Sequence, residues 1–274
     1  MADDPKGRVL AVAGSDPSGG AGVQADIKTV TALGGYAAAA ITALTVQNTK
    51  GVTDVLPVPA DFVADQMQAV LKDVGADSIK TGMLYDTNTI QRVADVLVEN
   101  HHEAALVVDP VMVATSGDTL MQSGAIEMIK DRLFPLANLV TPNTIEASLL
   151  TGVEISTTDH MLQAAEILLA AGADAALLKG GHLPGNKLVD ILVPSVGETV
   201  FVESDRIATQ HTHGTGCTMA SAIAALLAQG QSLEEAFPAA HVFVRRAIEL
   251  APGFGAGHGP LGHAAAASYS RTEN

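Results

Sequence analysis

Short runs of Val, Leu, Ile and Ala alternate along the chain with longer stretches in which apolar residues recur every three or four positions. The first kind predicts strands over 8–14, 38–46, 78–83, 104–111, 138–141 and 175–179. The second predicts helices over 23–33, 60–74, 89–99, 123–133, 144–150 and 159–171. Strands that are apolar almost throughout, rather than at every second position, belong in a parallel sheet covered on both faces. From residue 188 the pattern changes. Short runs at 188–193, 199–202 and 207–210 predict antiparallel strands, and helices follow over 216–229 and 233–250. No flexible linker, composition shift or internal repeat divides the chain, so the expectation is one α/β domain over 1–274 with a mixed edge.

Composition narrows the function. Apolar residues make up 47% of the 274 positions but aromatics only 3%, so small aliphatic side chains must do the packing. A formal net charge of −15 disfavours wrapping nucleic acid or adhering to an anionic membrane, both of which need a cationic surface. A nucleotide remains admissible, because a phosphate site is local and backbone N–H groups can build it. The single cysteine, Cys217, has no partner for an internal disulfide. The polar, acidic start of the chain is unlike a signal peptide, and apolar stretches break before membrane-spanning length. A cytoplasmic protein is expected.

Ligands of open parallel sheets collect where the strands end. The first such loop, Ala13-Gly14-Ser15-Asp16-Pro17-Ser18-Gly19-Gly20-Ala21-Gly22, carries glycines that let the backbone turn tightly and approach a ligand, though a bare turn would read the same way. It is not a Walker loop, since no Gly-Lys-Ser/Thr follows. Asp26 projects onto the apolar stripe Val23, Ile27, Val30, Leu33, where a carboxylate needs partners. The alternatives are a backbone group that it caps or a ligand bearing N–H or O–H donors, and the adjacent Gly-rich loop favours the ligand. Gln47 and Asn48 close the second strand, where an amide reads a polar ring or simply makes a turn. Asp109-Pro110 and Thr141-Pro142-Asn143 end two further strands. Asn143 and Glu146, three apart at a helix start, form either a cap, which the local pattern favours, or an oxygen pair for hydrated Mg²⁺.

Thr212-His213-Gly214-Thr215-Gly216-Cys217-Thr218 opens the helix over 216–229. Free N–H groups there make an anion hole, and the same field is expected to favour a Cys217 thiolate able to take a proton from an acceptor; the alternative is an idle buried thiol. Lys179, in Lys-Gly-Gly-His at another strand end, would bring a cation to phosphates.

Together these segments resemble the ribokinase superfamily, and within it the hydroxymethylpyrimidine/phosphomethylpyrimidine kinases of thiamine biosynthesis. The resemblance runs over 9–259 and rests on AGSDPSGGAGVQADIKT, ITALTVQNTKGV, KTGML, VVDPVM, TPNTIEA, KGGH, THGTGCT and GHGP in that order. It implies a ribokinase-like three-layer α/β/α sandwich with a mostly parallel central sheet and an antiparallel edge. It implies ATP-dependent phosphorylation of a hydroxymethylpyrimidine and of its monophosphate. By the same resemblance Gly14, Ala21, Asp26, Gln47, Met83 and Val111 line the pyrimidine pocket. Gly214, Thr215, Gly216 and Cys217 form the catalytic anion hole, with Cys217 as base. Lys179 and Thr215 contact ATP, and Asn143 and Glu146 organise Mg²⁺, through water, and phosphate. A homodimer is the expected assembly.

Two departures stand out. The resemblance leads one to expect a lysine within Val113-Ala114-Thr115-Ser116-Gly117 and another within Gly255-Ala256-Gly257-His258-Gly259, where this chain has Thr115 and Ala256. With the chain ending at Asn274, no extra domain is expected. Rival readings are a pyridoxal/pyridoxine kinase, a silent ring-binding protein, and a Cys–His hydrolase using His211 or His213.

Overall fold

A computed structural model describes residues 6–100, 104–112 and 121–270. In chain order it holds β1 (Arg8–Ser15), α1 (Gly22–Ala32), β2 (Tyr36–Asn48), β3 (Gly51–Pro57), α2 (Ala60–Asp73), β4 (Ser78–Thr81), α3 (Thr87–Glu99) and β5 (Ala105–Val108). Then come α4 (Ala125–Arg132), a 3₁₀ turn (Phe134–Leu136), β6 (Leu139–Val140), α5 (Thr144–Thr151), α6 (Thr158–Ala170) and β7 (Ala175–Leu178). The chain finishes with β8 (Lys187–Pro194), β9 (Val200–Asp205), α7 (Thr215–Ala228), α8 (Leu233–Glu249) and α9 (His263–Ser270).

The strands form one sheet in the order β3-β2-β1-β4-β5-β6-β7-β8-β9. From β2 to β7 the pairing is parallel, while β3 and the β8–β9 pair are antiparallel additions. Antiparallel strands thus border both edges, where one edge was expected.

Alternation within the apolar strands sorts residues between two cores. Leu10, Val12, Leu106, Val108, Val140, Ala176 and Leu178 face the layer built from α2 to α6. Val9, Val107, Leu139, Ala175 and Leu177 face α7 and α8. Both faces are covered, so the chain forms the three-layer sandwich that the ribokinase resemblance implies. Helix α7 lies innermost on its face: every residue from Thr218 to Leu226 is buried, and Ala and Ser let it sit close to β1, β4 and β5.

One expected strand is absent, and two elements, β3 and α9, were not expected. Residues 207–210 are not a strand; after Asp205 the chain runs without regular structure to the turn before α7. Strand β3 was not anticipated, because none of its residues is buried and its pattern has no core-facing side. Helix α9 begins in a run of alanines that carries no period. Among the described residues no helix is long and apolar enough to cross a membrane.

Position follows from topology. The chain leaves β1 to one side for β2 and returns to the other side for β4, which makes a switch point between β1 and β4. The segments after β1, β4, β5, β6 and β7 all emerge at the same end of the sheet.

Candidate active site

The first loop folds around Asp16. Its Oδ1 accepts the Ser18 N–H at 2.8 Å, and its Oδ2 accepts those of Gly20 at 3.1 Å and Ala21 at 2.8 Å. His213 Nε2 stands 2.8 Å from the same Oδ2. Burial raises the Asp16 carboxyl pKa, but the bonds from His213, Ser18 and Ala21 outweigh it and leave the group below its ordinary value. The pair ties the loop after β1 to the turn that opens α7. Glycine makes the join possible: Gly214 has φ +83°, and a Cβ there would run into the Gly20 carbonyl oxygen. Gly22 begins α1 at φ +55°, and its backbone N–H is among the groups that favour the Cys217 thiolate.

A small apolar cluster of Ala43 and Met83, with Val52, Val55, Tyr85 and Val111 against it, lies apart from the two cores. Gly14 borders it, since a Cβ at Gly14 would stand 3.2 Å from Met83 Sδ. Gln47 approaches from β2; its Oε1 accepts the Thr45 hydroxyl at 3.1 Å and its Nε2 is 3.5 Å from His213 Nε2. Gly14, Met83, Val111 and Gln47 are therefore drawn together, and Ala21 lies across the same loop with its Cα 3.2 Å from where a Gly214 Cβ would be.

Asp26 differs from expectation. It is fully buried, and its donors come from the protein: Lys80 Nζ at 2.9 Å and Ser221 Oγ at 2.7 Å, both to Oδ1. Its side chain is closed to solvent in the chain as folded. Lys80, from the middle of β4, is fully buried too. The sequence signal for it is weak: Lys80 sits among Ser78, Ile79 and Thr81, a strand whose mixed pattern does not announce a buried charge.

On the opposite side Lys179 Nζ pairs with Asp109 Oδ1 at 3.1 Å, and the Thr141 hydroxyl donates to that oxygen at 3.0 Å. A Cβ on Gly216 would be 3.3 Å from Lys179 Nζ, so the ammonium reaches the first turn of α7. Burial acts against the Lys179 charge, but Asp109 and Glu146 outweigh it and raise the pKa. Thr215 donates its hydroxyl to the Thr212 carbonyl at 2.7 Å.

Asn143 and Glu146 form a capping box on α5. Asn143 Oδ1 accepts the N–H groups of Ile145 and Glu146, each at 2.9 Å, and Glu146 Oε2 accepts the Asn143 N–H at 2.8 Å. Burial pushes the Glu146 carboxyl up to about 7 against the pull of Lys179.

The thiol corrects the expectation that a helix N-terminus would favour its anion. Burial pushes Cys217 up to about 11; Lys80 and the Gly22 N–H pull it down, while Asp26 and Asp109 push it further up. In the chain as folded the sulfur carries its proton at neutral pH. Cys217 is partly accessible, not sealed in a core. Of the two histidines in the hydrolase reading, His213 turns its Nε2 to Asp16 and Gln47, and His211 lies against Gly253 and Gly259. Thr115 lies outside the described residues. Ala256 is exposed, on the loop whose His258 N–H donates to the Thr49 carbonyl at 2.8 Å.

Known proteins resemble this chain over most of its length. The bifunctional thiamine biosynthesis protein ThiED of Geobacter sulfurreducens is 52% identical over 263 residues, 96% of this chain; the chain spans 53% of that protein's length. The hydroxymethylpyrimidine/phosphomethylpyrimidine kinase of Rhizobium meliloti is 47% identical over 258 residues, covering 93% of this chain and 96% of its own. Pyridoxal kinase from Staphylococcus aureus, solved with AMP-PCP and pyridoxal, superposes with a TM-score of 0.86 at 36% identity, over 95% of this chain and 94% of that one. The sequence profile of the phosphomethylpyrimidine kinase family matches residues 16–262, and the chain belongs to that family.

Proposed function

We propose that this chain, as a single kinase domain in the cytoplasm, transfers the γ-phosphoryl group of ATP to the hydroxymethyl oxygen of 4-amino-5-hydroxymethyl-2-methylpyrimidine, and then to the resulting monophosphate. One observation carries the reading: the loop after β1 packs directly on the head of α7, where a Cβ on Gly214 would run into the Gly20 carbonyl oxygen and stand 3.2 Å from the Ala21 Cα. Ring pocket and anion hole therefore share a boundary. Gly14, Ala21, Gln47, Met83 and Val111 hold the ring, with Asp26 supporting them from below. The N–H groups of Gly214, Gly216 and Cys217, beside that of Thr215, which donates to the Thr212 carbonyl at 3.2 Å, face the transferring phosphoryl, where preorganised donors count most. Lys179 and Thr215 sit on the nucleotide side.

Asn143 and Glu146 are hard oxygen donors, but their capping box engages them with backbone N–H groups. Among the described residues no group of three or more His, Cys, Asp or Glu is placed to hold a metal ion. This donor set fits a Mg²⁺ that keeps its waters and takes its remaining ligands from phosphates. When bound, such an ion neutralises charge on the phosphates. Cys217 acts through its thiolate: the thiol first gives up its own proton to solvent, and the sulfur then takes the hydroxymethyl proton. In a loose phosphoryl-transfer transition state the hydroxymethyl proton leaves late, so a small thiolate fraction suffices.

The Staphylococcus aureus structure supports a second reading, pyridoxal as acceptor, whose ring carries a similar hydroxymethyl group. Measuring ADP release with the pyrimidine alcohol, its monophosphate and pyridoxal decides between them; higher kcat/KM for pyridoxal would displace the first reading. Cys217→Ala is expected to lower kcat roughly 10²–10⁴-fold while ring affinity changes little. Near-normal turnover in that variant would remove the base role from Cys217.

A further inference from the structure

Lys80 occupies the middle of β4, a strand buried on both faces, and is among the largest side chains with no solvent exposure. The residues paired with it in the neighbouring strands, Ala11 in β1 and Val107 in β5, are apolar. An aliphatic side chain would occupy the space without taking an ammonium out of water, so the charge itself needs a reason. Asp26 Oδ1 neutralises it at 2.9 Å and is fixed in turn by Ser221 Oγ at 2.7 Å. Asp26 Oδ2 is buried without a hydrogen-bond partner. Glycine leaves room for the head group, because a Cβ on Gly82 would lie 3.0 Å from Lys80 Nζ.

Ser221 follows Cys217 by four residues, one turn of α7, so both project from the same face of the helix. The Asp26–Lys80 pair therefore lies under the sulfur. We propose that Lys80 is a positioning residue for the reaction: anchored by Asp26, its ammonium holds a positive charge beneath the first turn of α7 and eases departure of the Cys217 proton.

The groups facing the sulfur are Lys80 from β4, Asp26 from α1, Asp109 after β5 and Lys179 after β7. Burial opposes the Lys80 charge, but Asp26, Cys217 and Asp109 outweigh it, so the ammonium stays protonated throughout the pH range of catalysis. The two carboxylates hinder thiolate formation and the two ammonium groups favour it. Lys80 is the cation that donates to Asp26 and is closed to solvent.

The inference rests on Cys217 as the base, but its test does not need turnover. Because the chain has one cysteine, the rate of alkylation by iodoacetamide reads the Cys217 thiolate alone; the S–C bond forms as iodide leaves. In the full-length chain, Lys80→Met is expected to shift the pH profile of that rate upward by about one unit, cutting the rate at a fixed pH near 8 roughly tenfold. Asp26→Asn leaves Lys80 charged beside Asp109 and is expected to accelerate alkylation. Loss of packing would move both variants the same way, whereas a field effect gives opposite signs.

Circular dichroism establishes that each variant is folded. An unchanged profile in folded Lys80→Met, or shifts of the same sign in the two variants, overturns the proposal. Should Lys80→Met not fold, Asp26→Asn decides alone, and alkylation no faster than in the parent overturns it. Full turnover in Cys217→Ala would instead overturn the base assignment and leave the alkylation result standing.

Discussion

Glu146 meets two demands that pull its proton affinity in opposite directions. Capping α5 places its Oε2 on the Asn143 N–H, and closing the sheet end over it removes water. Burial prevails, and the carboxyl rises from its ordinary 4.5 to about 7. A folded-state pKa above the unfolded one means that the folded chain binds the proton more tightly. The associated stability is complete below about 4.5 and is lost as pH rises through about 7. The shift corresponds to a change on the order of 3 kcal/mol. Glu146→Gln keeps an acceptor for the Asn143 N–H yet cannot ionise. Chemical denaturation at pH 5 and pH 8 is expected to show the parent losing stability relative to Glu146→Gln over that interval. Parallel behaviour of the two proteins would mean that Glu146 titrates normally.

The join between the first loop and α7 depends on glycine at one position above others. Gly214 holds φ +83°, a region that side chains avoid, and has the Gly20 carbonyl where its Cβ would be. Gly214→Ala is therefore expected to push the loop away from α7, breaking the Asp16–His213 contact and separating Gly22 from Cys217. Turnover should fall at least about 100-fold, since a displacement of an ångström in a positioned site costs that much. Crystallography of the variant checks the displacement, and unchanged loop and turnover would refute it. The repeated apolar strands and the motif glycines made the sandwich and this join legible before any coordinates. Strand β3 was illegible because no residue in it is buried, and 207–210 misled because Ile207 suggested a strand where no partner strand pairs with it. Lys80 was missed because a strand of Ser, Ile, Lys and Thr does not say which of its side chains the layers enclose. The thiol's proton affinity was misjudged because a helix terminus is visible in sequence and the depth of a side chain is not.

A net charge of −15 acts on every anion that approaches, whereas Lys179 acts only at contact. Two ranges of electrostatics therefore compete in nucleotide capture. At low salt the field of the whole molecule repels a tetraanionic nucleotide well before the α7 terminus can attract it. At 0.1 M salt the Debye length is about 10 Å, short enough to screen the distant carboxylates and leave the local donors effective. Ala256 sharpens the comparison. It is exposed on the segment whose Gly259 carbonyl accepts the His213 N–H at 3.2 Å, and it brings no cation to the rim. The association rate of ATP, followed by stopped flow, is therefore expected to rise severalfold between about 10 mM and 150 mM salt, as screening removes repulsion. Ala256→Lys should raise the low-salt rate and flatten that dependence. A rate that falls with added salt would show that local cations already steer the nucleotide, and that the charge of the whole molecule does not govern its capture.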